Sequence, residues 1–175
     1  MTPSLFLLLP QSDLLLCETM SSVREAAAAA EAADTAGKPI WVSWTLHEDG
    51  SGNLRSSETI TQAVEALNHI KNLDGCLLNC SSNESICAAL PAMRAALSSR
   101  PGGGDRVRLG CYANGFVTVK AGAVAAGAGA EYQQDLTPDV YLAQAEEWVR
   151  LGATIIGGCC GVFPEHIAVL AAKLN

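Results

Sequence analysis

Seven cysteines are spread through the 175 residues of this chain, and their positions carry more information than their number. Cys17, Cys80, Cys111 and the adjacent Cys159-Cys160 pair all fall at or just beyond the ends of short apolar runs that read as β-strands. Where strands are parallel, such ends lie on one rim, so residues far apart in sequence can meet there. Cys80, Cys159 and Cys160 would then form a claw of three thiolates with one coordination position open. Zinc (Zn2+) suits that set, because it takes thiolate ligands at about 2.3 Å and in catalytic sites keeps its fourth tetrahedral position for water or substrate. Gly157-Gly158 before the pair and Gly161 after it allow the close approach and backbone angles that two neighbouring ligands require.

Two other readings of the cysteines stand beside this one. Free cysteine is often buried as a small hydrophobe, which is the reading for Cys17, Cys76, Cys87 and Cys111. A redox role for Cys159-Cys160 is less favoured, since adjacent cysteines bridge only with strain and no Cys-x-x-Cys pair is present. Asn79 beside Cys80 and Asn114 at another strand end are candidates to hydrogen-bond substrate or to orient ligands, and equally to make turns. His47 reads as a loop residue, His69 as helical, and His166 as part of the first turn of the last helix rather than a ligand.

The elements that must position these groups alternate. Strands are expected at 13–17, 40–45, 75–80, 107–112 and 154–157, and helices at 21–36, 57–70, 84–98, 137–151 and 164–174. Repeated βα units of this kind build an α/β fold on a parallel sheet. Ser22 with Glu25 predicts a capping box, Thr137-Pro138 an N-cap followed by proline, and Gly37 and Gly152 helix ends. Residues 113–135 have no clear period and read as a long loop beside the rim.

Composition sets limits. With 49% hydrophobic and 17% charged residues, the chain is typical of a soluble globular domain, and its size suffices for a core without a structural metal. The formal net charge of -7 and the lack of a Lys/Arg cluster exclude a nucleic-acid surface. The apolar start, Met1 to Pro10, lacks a basic flank and is shorter than a membrane span, so neither membrane insertion nor a signal peptide is expected. An odd number of cysteines with no short framework points to a reducing, cytoplasmic compartment.

Several segments together resemble the zinc-dependent homocysteine S-methyltransferase family. Ile155-Ile156-Gly157-Gly158-Cys159-Cys160-Gly161 with Pro164-Glu165-His166-Ile167 is similar to the family's terminal metal motif, and Leu78-Asn79-Cys80 to its earlier Asn-Cys position. Cys17-Glu18-Thr19 resembles the strand bearing a substrate-contacting Glu, Trp41-Val42-Ser43 the strand after it, and Tyr112-Ala113-Asn114 its Tyr-Pro-Asn strand end. The resemblance implies a TIM-type (β/α)8 barrel in which zinc, held by Cys80, Cys159 and Cys160, binds the sulfur of homocysteine. A methyl group from S-methylmethionine or S-adenosylmethionine then gives methionine, with Glu18 holding the substrate amino group and no protein nucleophile.

By that resemblance the barrel is incomplete. A full one has eight βα units in about 250 residues, whereas the five here match strands four to eight. Residues 1–12 read as a segment outside the family and 13–175 as a partial homocysteine-binding domain. The competing explanations are a truncated sequence, a fragment completed by another chain, and a degenerate zinc-binding homologue without activity. Unpaired sheet edges predict self-association or a complementing chain, and little transfer by this chain alone.

Overall fold

The computed structural model describes residues 11–101, 106–116, 133 and 135–174. Among these residues five strands alternate with five helices: β1 (Leu15–Met20), α1 (Val23–Asp34), β2 (Ile40–Trp44), α2 (Ile60–Glu65), β3 (Leu73–Asn79), α3 (Asn83–Ser98), β4 (Arg108–Tyr112), α4 (Pro138–Arg150), β5 (Ile155–Ile156) and α5 (Pro164–Lys173). The strands form one sheet in the order β1-β2-β3-β4-β5, and every neighbouring pair is parallel. This is the α/β arrangement expected of five βα units of an incomplete barrel. Among the described residues the outer edges of β1 and β5 have no strand partner, and no helix is long and apolar enough to cross a membrane.

The register sorts side chains onto two faces. Val42, Cys76 and Leu109 are aligned, and with Ile40, Trp44, Leu78 and Cys111 they are buried in one cluster with Ala26 and Ala30 of α1, Ile86 and Leu90 of α3, and Tyr141 and Trp148 of α4. The opposite face carries Trp41 level with Gly75 and Arg108, and Ser43 level with Leu77, Gly110 and Ile155. Glycine is required there: a Cβ on Gly75 would lie 2.8 Å from the Trp41 indole, and one on Gly110 2.9 Å from Leu77 Cδ2. Trp41 and Leu77 thus spread over neighbouring glycines and pave the inner face.

Local chemistry differs from expectation in several places. β1 starts two residues later than expected and runs to Met20, so Cys17 is a mid-strand residue; Cys111 likewise lies within β4, buried on the helix side rather than at the rim. The helix expected over 57–70 is α2 alone, followed by turns in which Leu67 N bonds Val64 O at 3.0 Å and Ile70 N bonds Leu67 O at 3.0 Å. Arg100 accounts for that tightening, because its Nη2 donates to Leu67 O and Ile70 O at 3.2 and 2.9 Å and ties these carbonyls to the end of α3. Ser22 does cap α1, but Glu25 returns its carboxylate to Ser21 N at 2.7 Å, one residue before the cap. The reciprocal box occurs instead at Thr59 and Gln62. Of the long loop expected over 113–135, residues 117–132 and 134 lie outside the described residues.

Trp148 links two helices of the core: it is fully buried, meets Tyr141 edge-on at 5.5 Å, and donates from Nε1 to Asn83 Oδ1 at 2.9 Å. Trp148→Ala should therefore lower stability by about 3–5 kcal/mol. Urea unfolding followed by circular dichroism would measure this; a loss within error of zero would show that α4 is not part of the core.

Candidate metal centre

β4 continues past the end of β5 as a ladder of main-chain bonds. Gly157 N donates to Cys111 O at 3.1 Å, Cys159 N to Ala113 O at 2.9 Å, and Gly115 N to Cys160 O at 2.7 Å. Tyr141 Oη, fully buried, lies between Ala113 O (3.2 Å) and Gly157 O (2.9 Å) and shares its proton between them. The chain then reverses: Val162 N bonds Cys159 O at 3.1 Å, and Gly161 takes φ +79°, a left-handed value that favours glycine. The turn ends the strand alternation that would send two successive side chains to opposite sides.

The result is a cluster of sulfur. Cys159 Sγ and Cys160 Sγ are 3.8 Å apart, and Cys80, Cys159 and Cys160 can place their three sulfurs within 4.8 Å of one another. Two thiolates on one tetrahedral zinc ion are separated by about 3.8 Å, given zinc–sulfur distances near 2.3 Å, so the donor set fits such an ion. All seven cysteines are free thiols. Cys80 reaches the cluster through a left-handed backbone (φ +49°), with its N–H on Tyr112 O at 3.3 Å and its carbonyl accepting from Thr45 Oγ1 at 3.3 Å.

Burial first, and then the neighbouring Cys80 and Cys160 sulfurs, push the Cys159 thiol up to about 12 against a bond from the Cys160 backbone. Cys80 is also raised, first by burial, with Cys160 adding and Arg55 opposing. Thiols crowded in this way resist ionising, and a cation beside them would favour their thiolate forms. Cys76, enclosed on the helix side, is held at about 12 by burial alone among its raising causes, and it has no such cluster around it.

His166 is not part of the cluster. Its Nδ1 accepts from Phe163 N at 3.1 Å, which leaves the proton on Nε2 to donate to Leu136 O at 2.9 Å. The buried neutral imidazole fixes the start of α5 just after the cysteines.

The other predicted residues occupy the same rim in different states. Glu18 is exposed on the inner face of β1, and its Oε1 accepts from Tyr112 Oη at 3.1 Å. Asn79 is fully buried; its Nδ2 donates to Thr19 Oγ1 at 2.7 Å, while its Oδ1 has no partner among the described residues. Asn114 Oδ1 accepts from Phe116 N at 3.2 Å, a turn bond, and Asn114 N bonds Ser81 O at 3.1 Å. Ser43, Tyr112 and Thr19 also belong to the rim and were not singled out. A lone serine in the apolar strand Ile40–Trp44, on the same parity as Trp41, was the available signal.

These positions can be set against known proteins. A sequence profile of the homocysteine S-methyltransferase family matches residues 2–174. The chain belongs to that family. Solved structures of the homocysteine methyltransferase MmuM from Escherichia coli are similar in fold: the metallated form has a TM-score of 0.72 at 25% identity over 98% of this chain and 49% of that one. The apo form gives 0.66 at 25% identity over 92% and 50%, and the oxidized form 0.66 at 26% over 93% and 46%. The chain spans about half the length of these family structures.

Gly158 tests how closely the cysteine turn is packed. A Cβ there would lie 2.2 Å from Val162 Cγ1, so Gly158→Ala forces the turn to move. Metal retention against a competing chelator should fall roughly tenfold or more, as when groups supporting a metal ligand are disturbed. Adding Val162→Gly should restore part of the loss; unchanged retention in Gly158→Ala would refute the packing argument.

Proposed function

We propose that this chain provides the zinc and homocysteine sites of a homocysteine S-methyltransferase, with Cys80, Cys159 and Cys160 as metal ligands. The observation that carries this reading is the approach of three sulfurs from β3 and the turn after β5 to within 4.8 Å. When bound there, zinc supplies the positive charge that keeps a substrate thiol deprotonated at neutral pH, where a free thiol of pKa near 8.5 is mostly protonated. Glu18 takes the substrate amino group through a carboxylate oxygen, and Asn79 Oδ1 offers a buried acceptor with no partner among the described residues. Asn114 holds the rim loop through its turn and faces the substrate with what remains of its amide.

The reaction is a displacement at carbon. The homocysteine sulfur bonds to the methyl carbon of a sulfonium donor, S-methylmethionine or S-adenosylmethionine, as the donor's carbon–sulfur bond breaks. The bonding pair returns to the donor sulfur, which leaves as a neutral thioether, and the products are methionine and the demethylated donor. The protein contributes alignment, and displacements of ~1 Å can cost on the order of a hundredfold in rate. With its free thiols, the reaction is assigned to a reducing, cytoplasmic setting.

The unpaired edges of β1 and β5 and the exposure of Leu16 on the inner face support a second element of the proposal: full turnover needs further βα units that close the barrel. The chain alone is expected to bind zinc, to self-associate, and to transfer methyl groups poorly. Methionine formation and light scattering, compared with a chain extended by a homologous amino-terminal segment, test this. Equal turnover by the short chain as a monomer would refute it.

Metal analysis with X-ray absorption should find about one zinc per chain and a first shell with three protein sulfurs. Cys159→Ser and Cys160→Ser should each weaken binding sharply, and Cys87→Ser should not; a shell dominated by nitrogen would reject the ligand set. Affinity should also fall as pH is lowered. Metal takes thiolates, and with Cys80 and Cys159 both raised, protons compete throughout the neutral range. Zinc affinity independent of pH between 6 and 8, or about that interval, would contradict thiolate ligation.

A further inference from the structure

Four polar groups form a single chain across the mouth of the sheet. Thr19 N lies 3.1 Å from Ser43 Oγ, Ser43 Oγ lies 2.7 Å from Tyr112 Oη, and Tyr112 Oη lies 3.1 Å from Glu18 Oε1. Counting protons gives the bonds a direction. A backbone N–H can only donate, and a carboxylate can only accept. Tyr112 has one hydroxyl proton and gives it to Glu18, so it must accept from Ser43. Ser43 likewise gives its one proton to Tyr112 and accepts the Thr19 amide. Both hydroxyl protons are committed, and the chain runs one way from a main-chain amide to a carboxylate.

The fold fixes two of these residues in place. Ser43 is fully buried on β2, and Thr19 follows Glu18 at a break in the β1–β2 register with φ +60°, a costly value for a β-branched residue. Tyr112 also touches the cysteine site twice. Its carbonyl accepts Cys80 N at 3.3 Å, and a Cβ on Gly157 would stand 3.3 Å from its own Cβ, so it packs on the segment leading to Cys159. One residue therefore gauges the separation between the Glu18 carboxylate and the sulfur cluster. An amino acid with a terminal thiol must bridge that separation, amino group at one end and sulfur at the other.

We infer that Tyr112, oriented by Ser43, is a positioning residue that holds Glu18 Oε1 and thereby presents Oε2 to the amino group of the thiol substrate. This rests on the homocysteine reading above, and adds that selectivity for the amine depends on two hydroxyls behind the carboxylate. Substrate that lacks the amine gains nothing from the arrangement.

Calorimetry on the zinc-loaded full chain, with homocysteine and its desamino analogue γ-mercaptobutyrate, separates the two ideas. The unaltered chain should prefer homocysteine. Tyr112→Phe should reduce that preference by about tenfold or more, the worth of a hydrogen bond to a charged group, while changing γ-mercaptobutyrate affinity by about twofold at most. Zinc content should be unchanged, and Tyr112→Phe should add no further loss in a Glu18→Gln background. Ser43→Ala should lower the preference in the same direction, and it carries the test if Tyr112→Phe does not fold. Preference retained in the folded variants, or equal weakening of both thiols with zinc retained, overturns the inference and leaves the homocysteine site standing. An unaltered chain that binds zinc and shows no preference for homocysteine overturns both.

Discussion

Three main-chain bonds that prolong the β4 pairing beyond β5 are the constraint on which the rim depends. From Gly157 to Cys111, from Cys159 to Ala113 and from Gly115 to Cys160, they hold the turn after β5 against the end of its neighbour. β5 itself is only two residues long, so without these bonds the adjacent cysteines would sit on an unsupported loop. Tyr141 from α4 braces the same turn through Gly157 O, and His166 fixes the start of α5 that follows it. The sulfur cluster is thus an extension of the sheet, positioned by backbone geometry.

Strain is concentrated where that geometry must be overridden. On β3, residues Cys76 and Leu78 face the helices while Leu77 and Asn79 face inward, and simple alternation would turn Cys80 toward the helices. Its left-handed φ brings it to the rim instead. Thr19 is turned in the same manner beside Glu18. Such conformations cost roughly 1–3 kcal/mol each and persist only where surrounding bonds determine them. Here those bonds run from Tyr112, Thr45, Asn79 and Ser43, so the groups that define the site also hold each other in place.

The two faces of the sheet divide the labour. The helix face is a closed apolar core, and the cysteines it takes, Cys76 and Cys111, have thiols that burial raises and, among the described residues, belong to no cluster that could hold a metal. The inner face is paved by Trp41 and Leu77 across glycines and rises to a polar rim of Glu18, Ser43, Asn79 and Tyr112. An inner face of this kind is the half of a barrel interior, which agrees with a chain that spans about half of its solved relatives.

The alternation of apolar runs with Ala-rich segments determined the βα order, and the Gly-Gly-Cys-Cys-Gly and Asn-Cys elements marked the three sulfurs, because period and local motif are properties of neighbouring residues. Element ends were less legible: α2 stops early, and the carbonyls of Leu67 and Ile70 in the turns beyond it accept from Arg100, far along the chain. Cys17 and Cys111 were expected at strand ends and the register places them mid-strand, while their reading as small hydrophobes agrees with Cys111 enclosed in the core and Cys17 packed against it. The serine within an apolar strand marked Ser43 as unusual, but its pairing with Tyr112, sixty-nine residues away, was decided by tertiary structure. Sequence specified which groups are present; only the curvature and register of the parallel sheet brought β1 and β4 close enough for a tyrosine to hold a carboxylate beside the cysteines.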